Sequence, residues 1–167
     1  MRGCITLPII EENKPVAMFG LRYDRPRRGT SLTKHSYFGV RPVFALQGID
    51  AVALRCNHPL DVIALEKYGY QNGYAELDNE MSELSCDMLY QLGVSIIVYF
   101  SDPIGASFDV HNAKTIATRY NITLCEVSLP FKVMNIGKWD ALQWKMFEAR
   151  LTRALACNGV RNERYQA

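Results

Sequence analysis

Val94-Ser95-Ile96-Ile97-Val98-Tyr99-Phe100 is the strongest strand signal in the chain. The stretch is β-branched, aromatic and almost uninterrupted, which is typical of a strand buried on both faces. A helical pattern follows over about 107–120, and a second apolar strand follows over 122–127. A strand–helix–strand unit over 94–127 predicts two parallel strands joined by a right-handed crossover.

Further elements are indicated on both sides of this βαβ core. Strands are predicted at Cys4–Ile10, where Pro8 favours an edge position, and at Val16–Leu21, 50–56 and 131–136. Helices are predicted after His58-Pro59, over Leu77–Met88, and as a long C-terminal helix over 138–157 with Trp139, Leu142, Met146 and Ala149 on its apolar side. Trp139 and Trp144 are expected on different faces. This order predicts an α/β fold, specifically a Rossmann-like three-layer domain with a mainly parallel sheet, and residues 1–167 as a single domain.

Size and composition are those of an ordinary globular domain. The chain has 167 residues, of which 49% are hydrophobic and 22% are charged, so it is long enough to bury a core. No run of about 18 apolar residues and no signal-peptide core is present, which predicts a cytoplasmic protein. The five cysteines and three histidines are too widely spaced for a zinc motif, so we expect reduced thiols, no metal site and no cofactor.

Charge is distributed unevenly although the net charge is only +2. The Gly/Pro-punctuated segment 22–41 is a basic loop that holds one acid, Asp24, and the bases Arg22, Arg25, Arg27, Arg28, Lys34 and Arg41. The tail adds Arg150, Arg153, Arg161 and Arg164. Such an asymmetry indicates an electropositive surface that can meet phosphate, although a solvated arginine-rich loop has the same composition.

The loop after Phe100 is the best candidate for a ligand site. In an open parallel sheet, ligands bind beyond the carboxyl ends of the strands. Gly105 permits close approach of backbone to a ligand, Ala106 and Ser107 are small, and the helix that follows directs free N–H groups towards an anion. Asp102 and Asp109 are candidate catalytic groups, and each can instead serve as a turn or helix-capping residue.

Other candidate site residues lie outside this loop. Arg27 and Arg28 can close over a phosphate, and Tyr74, near the Asn72-Gly73 turn, can stack on a base. Glu80 is a candidate catalytic carboxylate for N-glycoside cleavage. Glu66 and Glu76 can reach the same crevice or can be ordinary surface acids.

Gly105-Ala106-Ser107-Phe108-Asp109 resembles the Gly-Thr-x-x-Glu segment of the nucleotide-binding superfamily that contains the LOG phosphoribohydrolases and the DprA-like proteins. Ala106 stands for the threonine and Asp109 for the glutamate. Phe100-Ser101-Asp102-Pro103 is also similar to the Phe-x-Asp-Pro segment of methylglyoxal synthase. Both resemblances cover about residues 67–127, and both imply a phosphorylated nucleotide-like or sugar-like ligand.

Three functional hypotheses follow from these patterns. The first is a homo-oligomeric protein that binds a nucleotide or phosphorylated sugar at residues 102–109; as an enzyme it would be a nucleotide N-glycoside hydrolase or a lyase acting on a phosphorylated small molecule. The second is a nucleic-acid-binding protein that uses the basic loop and the basic tail. The third is an accessory protein that binds a host partner without catalysis.

Overall fold

The computed structural model describes residues 4–11, 14–22, 35–38, 43–45, 51–77, 80–133 and 135–159. The strands are β1 (Cys4–Glu11), β2 (Lys14–Arg22), β3 (His35–Phe38), β4 (Val43–Ala45), β5 (Val52–Cys56), β6 (Gly73–Glu76), β7 (Ile96–Asp102), β8 (Gly105–Ala106) and β9 (Thr123–Ser128). The helices are α1 (Pro59–Lys67), α2 (Glu83–Gln91), α3 (Val110–Arg119) and α4 (Ala141–Cys157), with a 3-10 turn at Ile136–Lys138.

The larger sheet is mixed. Strands β6, β5, β7 and β9 are neighbours in that order and run parallel, whereas β4 pairs antiparallel with β6 and β8 pairs antiparallel with β7. The α/β class is therefore confirmed, and the βαβ core is present as β7–α3–β9, with Ile96 paired to Thr123 and Ser101 to Ser128. The Rossmann-like description is wrong, because antiparallel strands border the parallel ones.

Helices cover both faces of this sheet. On one face, α1 and α4 pack on a core that includes Leu54, Val98 and Phe147. On the other face, α2 and α3 pack on a core that includes Tyr74 and Ile97. Successive side chains along each strand point to opposite faces of the sheet. They therefore contribute to the two cores in turn, and both faces of the central strands are buried.

A second, antiparallel sheet has the order β1–β2–β3. In the described residues β1 pairs only with β2, which agrees with the edge position that Pro8 predicts. The segment 22–41 is not loop throughout, because β3 lies inside it and pairs with β2. The buried ring of Phe19 on β2 meets the His58 ring edge-on, with centroids 6.3 Å apart. The small sheet therefore adjoins the start of α1.

Some element boundaries differ from those that the sequence predicts. The predicted turn at Asn72-Gly73 leads directly into β6, which begins at Gly73. Helix α2 begins only after Ser82, which forms a capping box with Ser85. No strand is found among the described residues of 131–136. The last helix begins three residues late because Asp140 caps it. The prediction that residues 1–167 form one domain remains a prediction.

The structure bears on the predictions about the cysteines and about membrane-spanning segments for the residues that it describes. Cys56, Cys86 and Cys125 are buried, and Cys157 is exposed. Within these stretches of the chain, no helix has both the length and the apolar character needed to cross a bilayer.

Candidate functional site

The carboxyl ends of the parallel strands place polar residues at one edge of the larger sheet. β5 ends at Cys56 and is followed by Asn57, β6 ends at Glu76, and β7 ends at Asp102. Because the strands run parallel, these ends meet at the edge where open α/β sheets bind their ligands. The small sheet reaches the same edge through Phe19 and His58.

A buried ion pair lies directly beneath this edge. Arg55 and Glu76 have side chains that are each 1% exposed, and Nε of Arg55 donates to Oε2 of Glu76. Both side chains lie on the sheet face that carries α2 and α3, since they alternate with residues of the opposite core. An ion pair removed from water is retained only when its partners are well placed, because desolvation opposes it.

Arg55 also organises the residues above it. Its guanidinium carbon lies 3.9 Å from the centroid of the Phe108 ring, which is a cation–π contact. Its Nη1 donates to Oδ1 of Asn57 at 3.4 Å, and the Ser107 hydroxyl donates to the same Asn57 oxygen at 2.5 Å. Arg55 therefore links Glu76, Asn57 and the 107–108 segment into one connected group.

Burial sets the electrostatics of this group. Desolvation raises the pKa of the Glu76 carboxyl, and the Arg55 charge and hydrogen bond oppose that rise. Among the described residues, Oε1 of Glu76 and the hydroxyl of Tyr74 have no hydrogen-bond partner. Burial is also the largest cause that raises the pKa of Tyr74, followed by the Glu76 charge. This part of the core is thus strongly polar without being open to water.

A second polar group lies between β7 and β9. The exposed Glu126 carboxylate accepts hydrogen bonds from the Tyr99 hydroxyl at 3.2 Å and from the Ser101 hydroxyl. Burial, and then the Glu126 charge, raises the pKa of Tyr99 to about 12. The Tyr99 ring packs edge-on against Phe108, with centroids 5.3 Å apart. Phe108 therefore joins the two polar groups.

The predicted catalytic carboxylates have structural partners. Asp102 accepts from the backbone N–H of Ile104 at 2.9 Å and from that of Val133 at 3.2 Å. Asp109 is the N-cap of α3 and accepts from the N–H of Asn112 at 3.1 Å. Glu80 is exposed before α2. These contacts do not exclude a catalytic role, which remains a prediction for all three.

The predicted ligand-binding residues are spread over different environments. Gly105 and Ala106 form β8 and pair with Asp102 and Ser101, so they are strand residues and do not form a loop at a helix start. Ser107 faces Asn57, as described above. Tyr74 is 0% exposed and has no surface on which a base could stack. Arg27 and Arg28 lie outside the described residues.

The two roles of Asp109 can be separated by substitution. We expect Asp109→Ala to lower the free energy of unfolding by about 1 kcal/mol, because the orphan N–H at the start of α3 loses its acceptor. Asp109→Asn should keep most of that stability, since an amide oxygen also caps. Urea unfolding of the two variants measures the difference. Equal stability of Asp109→Ala and wild type would contradict the capping role.

Several residues of this group are absent from the sequence prediction. Arg55 is a charged residue inside the apolar run Ala51-Val52-Ala53-Leu54-Arg55-Cys56, and a cation in a buried strand indicates a buried partner. Arg55 is therefore the residue whose sequence context indicates the pair. The expectation of Glu76 as a surface acid is wrong, because it is 4% exposed. Nothing in the sequence pairs Asn57 with Ser107, which are fifty residues apart.

The described residues contain no group of three or more histidine, cysteine, aspartate or glutamate side chains that could hold a metal ion.

Solved structures with a similar fold are DNA primase domains. The chain superposes with a TM-score of 0.61 and 19% identity on a DNA primase domain from Pseudomonas aeruginosa, over 92% of this chain and 52% of that one. For the Aquifex aeolicus primase zinc-binding and RNA polymerase domains the TM-score is 0.60 and the identity is 14%, over 93% of this chain and 44% of that one. For a DnaG primase catalytic domain bound to single-stranded DNA the TM-score is 0.52 and the identity is 14%, over 93% of this chain and 57% of that one. The chain thus spans about half the length of these structures.

No protein-family model matches the sequence. No curated protein matches it either.

The likeness to primase domains corrects three expectations. The resemblance to LOG and DprA-like proteins, and that to methylglyoxal synthase, is wrong as an assignment of fold. The main functional hypothesis, a nucleotide or phosphorylated-sugar site at 102–109 with hydrolase activity, is wrong for the same reason. The local geometry agrees, because the Asp109 carboxylate already occupies the start of α3 where a phosphate was expected.

Proposed function

We propose that this chain binds single-stranded nucleic acid across the carboxyl edge of its larger sheet. The observation that carries the proposal is the fold: more than nine-tenths of the chain superposes on primase domains, and one of those structures is bound to single-stranded DNA. The 14–19% identity leaves the ligand of this chain to be tested. Charge and the placement of the small sheet provide further support.

The basic segment 22–41 begins where strand β2 of the small sheet ends. Strand β2 ends at Arg22, three residues after Phe19, and Phe19 packs against His58 at the start of α1. Three extended residues span about 10 Å, so the end of β2 lies within about that distance of this contact. The bases that follow Arg22 in the sequence are the ones that we propose to contact phosphates.

A described lysine adds positive charge to the same edge. The segment after β9 crosses the edge, where the N–H of Val133 binds Asp102 and the N–H of Ile136 binds the buried Asp61 at 2.8 Å. Lys132 is exposed on this segment, next to Val133. A phosphate backbone that follows the edge would meet this cation.

Binding should be salt-dependent and should require the basic segment. We expect wild type to bind a labelled single-stranded DNA oligonucleotide, with log K falling linearly against log salt over about 50–200 mM NaCl. Replacing Arg25, Arg27 and Arg28 together with alanine should weaken binding at least about tenfold and reduce the slope by about 2, since each phosphate contact contributes about 0.7. Fluorescence anisotropy measures both quantities.

The matched control removes the same charge elsewhere. Lys67, Lys114 and Lys145 are exposed residues on α1, α3 and α4, and their triple alanine variant should keep most of the affinity and slope. If the two triple variants lost equal affinity, the loss would be due to net charge and not to the basic segment. No binding by wild type at the lowest salt would contradict the proposal.

Homo-oligomerisation and a cytoplasmic location belong to this proposal as expectations. Sedimentation velocity of the wild-type chain over a concentration series tests the first, and fractionation of the producing cells tests the second.

A further inference from the structure

The turn between β7 and β8 presents an apolar tip at the carboxyl edge. Ile104 is 79% exposed, more than any other large hydrophobic side chain whose exposure the structure describes, and Pro103 beside it is also exposed. An isolated exposed aliphatic residue is ordinary on a protein surface. The position of Ile104 is informative because the turn around it is firmly held and lies at the proposed binding edge.

Two hydrogen bonds and two strands fix this tip. Both oxygens of Asp102 accept backbone N–H groups, one from Ile104 within the turn and one from Val133 across the edge. Gly105 has a φ of 112°, which only glycine adopts readily, and it pairs with Asp102 to close the hairpin. The backbone that carries the apolar side chain is thus ordered before binding, so little backbone freedom is lost when a ligand binds.

The surroundings of the tip suit a nucleic-acid strand. Lys132 is exposed and immediately precedes Val133, whose N–H binds Asp102. The Asp102 carboxylate therefore holds both the turn that carries Ile104 and the backbone next to Lys132. At the other end of β8, Ser107 and Asn57 offer polar groups. Apolar surface for bases, positive charge for phosphates and polar groups for base edges therefore occur along one edge.

We infer that Ile104 is a wedge that inserts between adjacent bases of a bound single strand, with Lys132 against the neighbouring phosphate. This inference rests on the proposed function and names how that surface would contact bases. Apolar side chains such as isoleucine and proline insert between base steps and unstack them in other nucleic-acid complexes. A rigid hairpin tip is suited to this, because the unstacked bases recover apolar contact with the side chain.

The test uses the 167-residue chain and an oligonucleotide that carries 2-aminopurine between adenines. The emission of 2-aminopurine rises when the base unstacks. Wild type should bind and raise the emission. Ile104→Ala should bind about five- to tenfold more weakly, in line with the loss of apolar contact with the bases, and at saturation should raise the emission less. Ile104→Trp should bind at least as tightly as wild type, because an indole offers a large apolar face that stacks on bases.

Leu142→Ala is the matched control, because Leu142 is 67% exposed and lies two residues before Trp144, which stacks on Tyr68 at the end of α1 that is far from this edge. It should match wild type in affinity and emission. Thermal unfolding should show that all three variants are folded. If Ile104→Ala binds as wild type does with the same rise in emission, the wedge is wrong while nucleic-acid binding stands. If wild type does not bind the oligonucleotide, the proposed function is contradicted, and with it the wedge that rests on it.

Discussion

Replacing Arg55 with methionine is expected to lower the free energy of unfolding by about 3–5 kcal/mol at neutral pH. Methionine fills much of the arginine volume, so the packing change is small. The Glu76 carboxylate, however, would stay buried without the guanidinium that it pairs with, and a buried uncompensated charge is strongly destabilising. The Phe108 ring would also lose its cation–π contact. Urea unfolding followed by circular dichroism measures the loss.

A double substitution separates the charge from the packing. Arg55→Met combined with Glu76→Met removes both charges, and it should recover most of the stability, because apolar replacement of a whole buried pair is often close to neutral. Lys114→Met, an exposed charge on α3, should change stability by less than about 0.5 kcal/mol. If the double variant were as unstable as Arg55→Met alone, the loss would arise from packing and the pair would not be the cause.

The pH dependence of this variant has a definite sign. Burial already raises the pKa of Glu76 while Arg55 opposes the rise, so removal of Arg55 should raise that pKa further. A carboxyl group whose pKa is higher in the folded state than in the unfolded state binds more protons when folded, and stability is lost as pH rises through the folded-state pKa. The Arg55→Met variant should therefore be closest to wild type in mildly acidic buffer and furthest from it in alkaline buffer.

The part of the fold that could be predicted is the part with strong local patterns. The run at 94–100 predicts β7, and the pattern that follows predicts α3 and β9, because β-branched residues and helical spacing act over a few neighbours. The sequence does not predict β6 and β8, because they have four and two residues and such short strands are defined by pairing with distant segments. The antiparallel strands that make the sheet mixed are β8 and the three-residue β4, which is why the sequence does not predict a mixed sheet.

The backbone of the predicted ligand loop differs from the one that its motif suggests. The sequence predicts one phosphate-binding loop over Gly105-Ala106-Ser107-Phe108-Asp109. In the structure these residues divide into a strand, a bend that carries Ser107 and Phe108, and a helix cap. A short motif fixes residue order but not the backbone conformation that brings N–H groups together. The buried pair at Arg55 could have been inferred in principle, although its partner Glu76 depends on parallel pairing of β5 with β6.

The C-terminal helix shows how an aromatic cluster overrides a local apolar stripe. The sequence predicts Trp139, Leu142, Met146 and Ala149 on the buried side, yet Leu142 and Ala149 are exposed and α4 buries Trp144, Phe147, Leu151 and Leu155. Trp139 precedes the helix and packs edge-on against Trp144, with centroids 5.2 Å apart. The expectation that the two tryptophans lie on different helix faces is wrong, because Trp139 lies before the helix and both tryptophans contribute to one core.

Phe147→Ala is accordingly expected to lower the free energy of unfolding by about 3–5 kcal/mol. Phe147 is 0% exposed, and its ring contacts that of Phe100 on β7 at a centroid distance of 5.4 Å and that of Trp144 at 5.6 Å. Truncation would leave a cavity between α4 and the central strand. Leu142→Ala, on the face that the sequence pattern favours, should change stability by less than about 0.5 kcal/mol. Denaturant unfolding of both variants decides the matter, since a larger loss at Leu142 than at Phe147 would place the opposite face of α4 against the sheet.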